Sequence, residues 1–211
     1  IAILSVIFPS LMHGADANAD IQEVFIPLLN RLMDDGFEKA HLRKLFSDKR
    51  LEFMPRLLEI NMKYVENPEH YKKFVEPAYV KLGREFLARH NKFMKEVKKT
   101  SSVPGEIITA ILLIETKLGQ KRGKHRVFSV LATVASADSK RNIEINYKKL
   151  KPRFPDLKKE DITNRAKRRS KWAFGELKSL IRLTRREKLD PLDMKGSWAG
   201  AFGIPQFIPS S

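Results

Sequence analysis

The sequence predicts a mainly α-helical protein, and three observations carry that expectation. Apolar residues recur at helical spacing through several long segments, while alternating strand-like runs are absent. Glycine and proline are sparse, at 10 and 11 of 211 residues, so those segments are seldom interrupted. Hydrophobic residues make up 42% of the chain, which is enough for a sizeable core and excludes global disorder.

The formal net charge is +16, which points to a polyanionic partner: nucleic acid, an anionic membrane surface or an acidic glycopeptide polymer. Charge alone does not choose among them, and a merely solubilising basic surface would look the same. There is no cysteine, which excludes disulfides, thiolate metal sites, a cysteine nucleophile and a lipid-anchor cysteine. His13, His41, His70, His90 and His125 are scattered, without metal-ligand spacing, so neither a metal nor a cofactor is expected.

Ile1 to Leu11 is a short apolar run, followed by Ala15-Asp16-Ala17. This pattern fits the end of a secretory signal, too short to span a bilayer, so residues 1–17 are expected to direct export. Export argues against nucleic acid as the partner. From 18 to 100 the pattern predicts a helical region packed on a core. Val24, Leu28, Leu29 and Leu32 share a face of a helix that stops at Gly36, and Pro27 either kinks it or marks its start. A shorter helix follows over Glu38 to Asp48. Leu51 to Pro77 is broken by prolines and is expected to wrap over the core, with Tyr64, Tyr71 and Phe74 expected to pack there and available as groove-wall candidates. Ala78 to Lys99 reads as one long amphipathic helix.

The stretch Val103 to Gly119, VPGEIITAILLIETKLG, carries the main candidate. Pro104 and Glu106 suit a helix start. At 100° per residue, Ile108, Ile111, Leu112 and Leu118 project within about 60° of Glu115. Glu115 is therefore expected on an apolar face. There an unpaired carboxylate is costly to ionise and its pKa should rise, as a general acid requires. An ion pair with a buried Arg or Lys is the structural alternative.

After a basic loop hinged at Gly123, Phe128 to Ala137 reads as a small-residue helix able to approach another closely. Lys148 to Lys171 is strongly basic, with Pro152 and Pro155 between two helical pieces, and an amphipathic helix resumes at Trp172. Asp190 to Ser211 is too rich in glycine and proline for regular structure, and forms a tight loop that lets backbone approach a ligand. The chain stops there without a helix cap or polar tail, so a core truncated on its C-terminal side is expected.

Three segments taken together resemble the membrane-bound lytic transglycosylase B family of murein-cleaving enzymes. They are Val103-Pro104-x-Glu106 with Glu115-Thr116-x-x-Gly119, then Val130 to Ala135, then Lys195 to Ser211, KGSWAGAFGIPQFIPSS. The third segment is the most specific. The resemblance implies a lysozyme-like helical catalytic domain over 101–211, incomplete at its C-terminus, with 18–100 as an N-terminal helical extension. It implies cleavage of the β-1,4 bond between N-acetylmuramic acid and N-acetylglucosamine, leaving a 1,6-anhydro end. Glu115 stands at the family's single acid/base position. Ser197 and Gln206 match sugar-contacting or positioning residues, and Lys140 and Arg141 stand where two arginines approach the peptide stem. Leu118 departs from the usual aromatic residue, and Lys140 cannot reproduce bidentate carboxylate recognition.

The implied partners are peptidoglycan glycan strands in the bacterial periplasm, with peripheral contact to an anionic envelope also compatible with the charge. Two alternatives stay open. One is lysozyme-type hydrolysis with Asp138 as a second carboxylate. The other is a non-catalytic basic module that binds cell wall or nucleic acid, although no recognition helix is evident.

Overall fold

The computed structural model describes residues 21–63 and 67–211. The signal-like segment 1–17 and Tyr64 lie outside the described residues. Nine helices are described: α1 (Ile26–Asp34), α2 (Lys39–Phe46), α3 (Pro55–Lys63), α4 (Pro77–Arg89), α5 (Asn91–Ser101), α6 (Gly105–Thr116), α7 (Val127–Ala135), α8 (Lys140–Leu150) and α9 (Lys159–Arg186). A 3-10 segment, Pro68–Val75, precedes α4. Two short strands, β1 (His125–Arg126) and β2 (Lys195–Gly196), pair antiparallel.

The core is organised around α7, whose nine residues are all buried. Its long partner is α9. Small side chains let the two approach closely: Ala132 and Ala135 of α7 and Ala173 of α9 are each no more than 1% exposed. Helices α1 and α2 close the same core with Leu28, Leu32, Leu42 and Phe46, joined by Phe25 just before α1. Phe46 meets Phe25 and Phe128 edge to face, at 6.0 and 5.6 Å between centroids. The buried hydroxyls of α7 are matched by the connector before α3. The backbone N–H of Glu52 donates to Ser129 Oγ, and that of Met54 to Thr133 Oγ1. At the C-terminal end of α7, Ser170 Oγ of α9 donates to the Ala135 carbonyl at 2.6 Å. A second cluster of Leu58, Ile143, Leu150, Leu157, Ile162 and Ala166 joins α3, α8 and the first half of α9.

Several sequence expectations are refined here. Pro27 marks the start of α1, and Pro55 likewise opens α3 where irregular chain was expected, because proline's fixed φ suits a first helical turn. The basic stretch after Lys159 and the helix resuming at Trp172 are one continuous α9 of 28 residues. The helix expected over 78–99 is broken at His90 into α4 and α5. The break lets Leu87 of α4 and Met94 of α5 both close on Gly105. A Cβ there would stand 2.8 Å from Met94 Cβ and 3.1 Å from Leu87 Cδ1, so only glycine permits this start of α6.

Candidate active site

The expectation for α6 was a buried Glu115, and the structure corrects it. The helix buries Gly105, Thr109, Leu113 and Thr116 against α4 and α5, whereas Glu115 is exposed. Ile107, Ile111 and Ile114 are exposed with it, at 53%, 50% and 40%. Of the side chains expected around Glu115, Ile111 is exposed and Ile108, Leu112 and Leu118 are half-buried, because an all-apolar helix has two candidate inner faces. The small residues Gly105, Thr109 and Thr116 decided which one packs. Glu115 forms no hydrogen bond or salt bridge with another described residue.

The chain leaves α6 under local strain. Lys117, Leu118 and Gly119 are all left-handed, with φ of 51°, 58° and 88°. Each left-handed residue that is not glycine costs about 1–2 kcal/mol. The turn is held by Leu118 N–H to Leu112 O at 2.9 Å and Lys121 N–H to Thr116 O at 2.8 Å. Thr116, 1% exposed, fixes it further. Its hydroxyl donates to Ile204 O at 2.8 Å and accepts from Gly119 N–H at 2.9 Å. The residue next to Glu115 thus grips the 195–211 loop. Lys117 carries its ammonium 5.5 Å from the Tyr79 ring, which Phe74 meets edge to face.

The loop itself is tightly built, as its composition predicted. Gly123, at φ +90°, lets β1's approach run against β2: a Cβ there would sit 2.1 Å from Gly196 O. Ser197 Oγ accepts from Ala199 N–H at 3.3 Å and Ala201 N–H at 3.2 Å, so the hydroxyl holds the Gly200 turn. Gln206 is also left-handed, at φ 53°. Its Nε2 donates to Gly203 O at 2.9 Å and Arg122 O at 3.2 Å. Two carbonyls around one end of the amide fix which atom is nitrogen, and Oε1 accepts from no other described residue.

Glu115, Ser197 and Gln206 therefore belong to one assembly, α6 and the loop it grips. Lys140 and Arg141 do not join it. They are exposed residues of the first turn of α8, where Asn142 N–H donates to the capping Ser139 Oγ, and α8 packs on α3 and α9. Arg141 lines a cleft of about 500 Å³ with Phe53, Pro55, Leu58 and Asn146. Asp138 sits 3.9 Å from Arg31, which lies over the Phe174 ring, so it is engaged with a cation away from Glu115's helix. The rings of Tyr71 and Phe74 lie tilted to each other, 6.4 Å apart, and Phe74 meets Tyr79 edge to face.

Two cavities flank the loop, and Glu115 lines neither. One of about 460 Å³ is lined by Met54, Arg56, Lys124, His125 and Trp198. Another of about 540 Å³ lies between α9 and the loop, with Arg182, Arg186, Phe207 and Ser210 among its walls. Glu115 stands instead on the open face of α6, accessible to an extended ligand.

Sequence reasoning missed three groups. Thr116 was read only as part of a motif. Glu176 of α9 is buried, 6% exposed, and binds Ser210. It lies among Ala173, Leu177 and Leu180, so the signal sought at Glu115, a carboxylate on an apolar helix face, was present there too. The third group is a clip around Arg50, which bonds Asp48, Asp190 and Asp193 at 2.8, 2.8 and 2.7 Å. It ties the α2–α3 connector to the turn leading into β2. Arg50 holds Asp48 down to about 2.

This is a lysozyme-like helical fold presenting an exposed glutamate on the helix that grips a glycine-rich loop. The chain belongs to the transglycosylase SLT domain family, whose profile matches residues 22–211. It is 29% identical over 205 residues to the membrane-bound lytic murein transglycosylase B of Escherichia coli strain K12, covering 92% of this chain and 48% of that one. Among solved structures it resembles soluble lytic transglycosylase SltB1 of Pseudomonas aeruginosa, with TM-score 0.66, 26% identity and coverage of 90% and 55% of the two chains. The Escherichia coli lytic transglycosylase Slt35 in complex with bulgecin A matches equally, with TM-score 0.66, 26% identity and coverage of 93% and 55%. The chain spans about half the length of these relatives.

Proposed function

We propose that this chain carries the catalytic acid/base of a lytic transglycosylase that cleaves the MurNAc-β-1,4-GlcNAc bond of peptidoglycan. The observation that supports this best is a Glu115 that bonds no other described residue, set beside the loop gripped by its neighbour Thr116. A carboxylate spent in an ion pair could not exchange a proton with substrate; this one can.

Protonated Glu115 gives its proton to the glycosidic oxygen as the C1–O bond breaks, and the leaving sugar departs as an alcohol. The substrate's own N-acetyl carbonyl stabilises the developing oxocarbenium. The Glu115 carboxylate then takes the proton from the C6 hydroxyl, and O6 bonds to C1, closing the 1,6-anhydro ring. No water is consumed and Glu115 ends protonated, so one carboxylate serves both steps. General acid–base catalysis of this kind contributes roughly 10²–10⁴-fold. A sugar laid over Ile111 and Ile114 excludes water from Glu115, so the desolvation that the sequence suggested arises when substrate binds.

Gln206, with its nitrogen committed to two carbonyls, turns Oε1 towards the acetamido N–H of the sugar or a protonated Glu115. Ser197 holds its turn and offers its hydroxyl proton to the glycan. Lys140 and Arg141, away from this assembly, suit the carboxylates of a peptide stem. Murein lies outside the cytoplasm, which accords with residues 1–17 acting as a signal for export to the periplasm. No helix among the described residues is long and apolar enough to cross a membrane.

Mass spectrometry of murein digested by the full-length protein tests the reading. An anhydromuramic end is expected; a reducing end would replace it with hydrolysis, and no cleavage would refute both.

A further inference from the structure

The loop bearing Gln206 is pinned at two points, on opposite sides. Ile204 is held from α6 by Thr116, as above. Six residues on, Ser210 is held from α9 by Glu176. Glu176 Oε2 accepts from the Ser210 backbone N–H at 3.0 Å, and Oε1 accepts from Ser210 Oγ–H at 2.9 Å. Between the pins run Pro205, Gln206, Phe207, Ile208 and Pro209. Two prolines in five residues, with Phe202 N–H bonded to Phe207 O at 2.9 Å, leave this span little slack.

Glu176 is only 6% exposed, and among the described residues no lysine or arginine pairs with it. Its two donors both come from Ser210. Lifting the loop from α9 therefore breaks both of these bonds together. The dependence runs the other way as well, since the Ser210 N–H and hydroxyl find acceptors in this one side chain.

We propose that Glu176 is a positioning residue of the active site: it fixes the loop to α9 so that Gln206 is presented at a constant offset from Glu115. The proposal rests on the catalytic reading of Glu115 above. Glu176 touches neither Glu115 nor Gln206 and moves no proton in the reaction; it acts through Ser210. Because α9 packs on the fully buried α7, the latch refers the loop to the core of the fold. The grip of Thr116 refers the same loop to the helix carrying the acid. A misplacement of about 1 Å in such a constellation costs on the order of 10²-fold in rate.

The test uses the full-length protein with Glu176→Gln, Ser210→Ala and the double variant. Glu176→Gln keeps the shape but replaces two charge-assisted bonds by neutral ones and makes Ser210 Oγ the acceptor of the amide –NH₂. Release of anhydromuropeptides should show kcat lowered roughly tenfold or more, with KM within about twofold. Ser210→Ala, which keeps the backbone bond, should lose a smaller factor, and the double variant should be no worse than Glu176→Gln alone. Hydrogen exchange at Phe207, Ile208, Ser210 and Ser211 should quicken in Glu176→Gln while α7 stays protected. A lowered melting temperature with kcat unchanged would make Glu176 merely structural and overturn the proposal. If Glu176→Gln does not fold, Ser210→Ala decides, and an unchanged kcat there overturns it equally. If the unsubstituted protein cleaves no murein, the catalytic reading fails on that observation. The latch is then judged by exchange alone, and unaltered loop exchange in Glu176→Gln would refute it.

Discussion

Thr116 donates its hydroxyl to the carbonyl of Ile204 at 2.8 Å, joining the residue beside Glu115 to the loop that presents Gln206. Through this bond a helix end and a loop 88 residues away in sequence become one site. The same hydroxyl accepts from Gly119 N–H, so it also supports the left-handed turn after the helix.

Thr116→Val, nearly isosteric, leaves the Ile204 carbonyl and the Gly119 N–H without this partner. The expected destabilisation is about 1–3 kcal/mol, read as a shift of the denaturant midpoint at unchanged m-value. Thr116→Ser should restore most of it. Equal stability in the Val and parent proteins would show that the bond does not hold the loop.

Gly123→Ala tests the approach of the basic loop to β2. The residue is at φ +90°, and a new Cβ would stand 2.1 Å from the Gly196 carbonyl oxygen. Strain and clash together should cost about 3 kcal/mol, measurable by urea unfolding. A cost under about 1 kcal/mol would mean that the loop relaxes freely.

Acid should weaken the Arg50 clip in a definite window. Hydrogen bonds from the Arg50 side chain and backbone hold Asp48 at about 2, below its ordinary value of 3.8. For Asp190, burial pushes upward, but the Leu192 N–H and Arg50 outweigh it and its pKa is lowered. Folded carboxylates that resist protonation stabilise the protein above the unfolded pKa, and that stability is lost as pH falls towards 2. The melting temperature should therefore fall between about pH 4 and pH 2, less steeply in Arg50→Gln and in high salt, because the clip is solvent-accessible. An identical acid profile in Arg50→Gln would remove the clip from the account.

Much of the helical order was legible because periodicity and prolines are local signals. Pro27 and the stop at Gly36 marked α1, and the small residues of 128–137 marked a helix that packs closely. What failed was the choice of face on α6. Ile107, Ile111 and Ile114 look like core residues, but Gly105 and Thr109, smaller and closer-packing, took the inner side. Glu176 was overlooked for the complementary reason: its helix carries so much charge that one further carboxylate drew no notice, though Ala173, Leu177 and Leu180 surround it. The Arg50 clip joins positions some 140 residues apart, which no single-sequence pattern reveals.

The most direct measurement compares Glu115→Gln with the unsubstituted full-length protein, scoring anhydromuropeptide release and thermal stability together. Because Glu115 is exposed and bonds no other described residue, the substitution should leave stability within about 0.5 kcal/mol. Cleavage should fall by roughly 10²-fold or more. Undiminished release of anhydromuropeptides by Glu115→Gln would contradict the assignment of Glu115 as the acid.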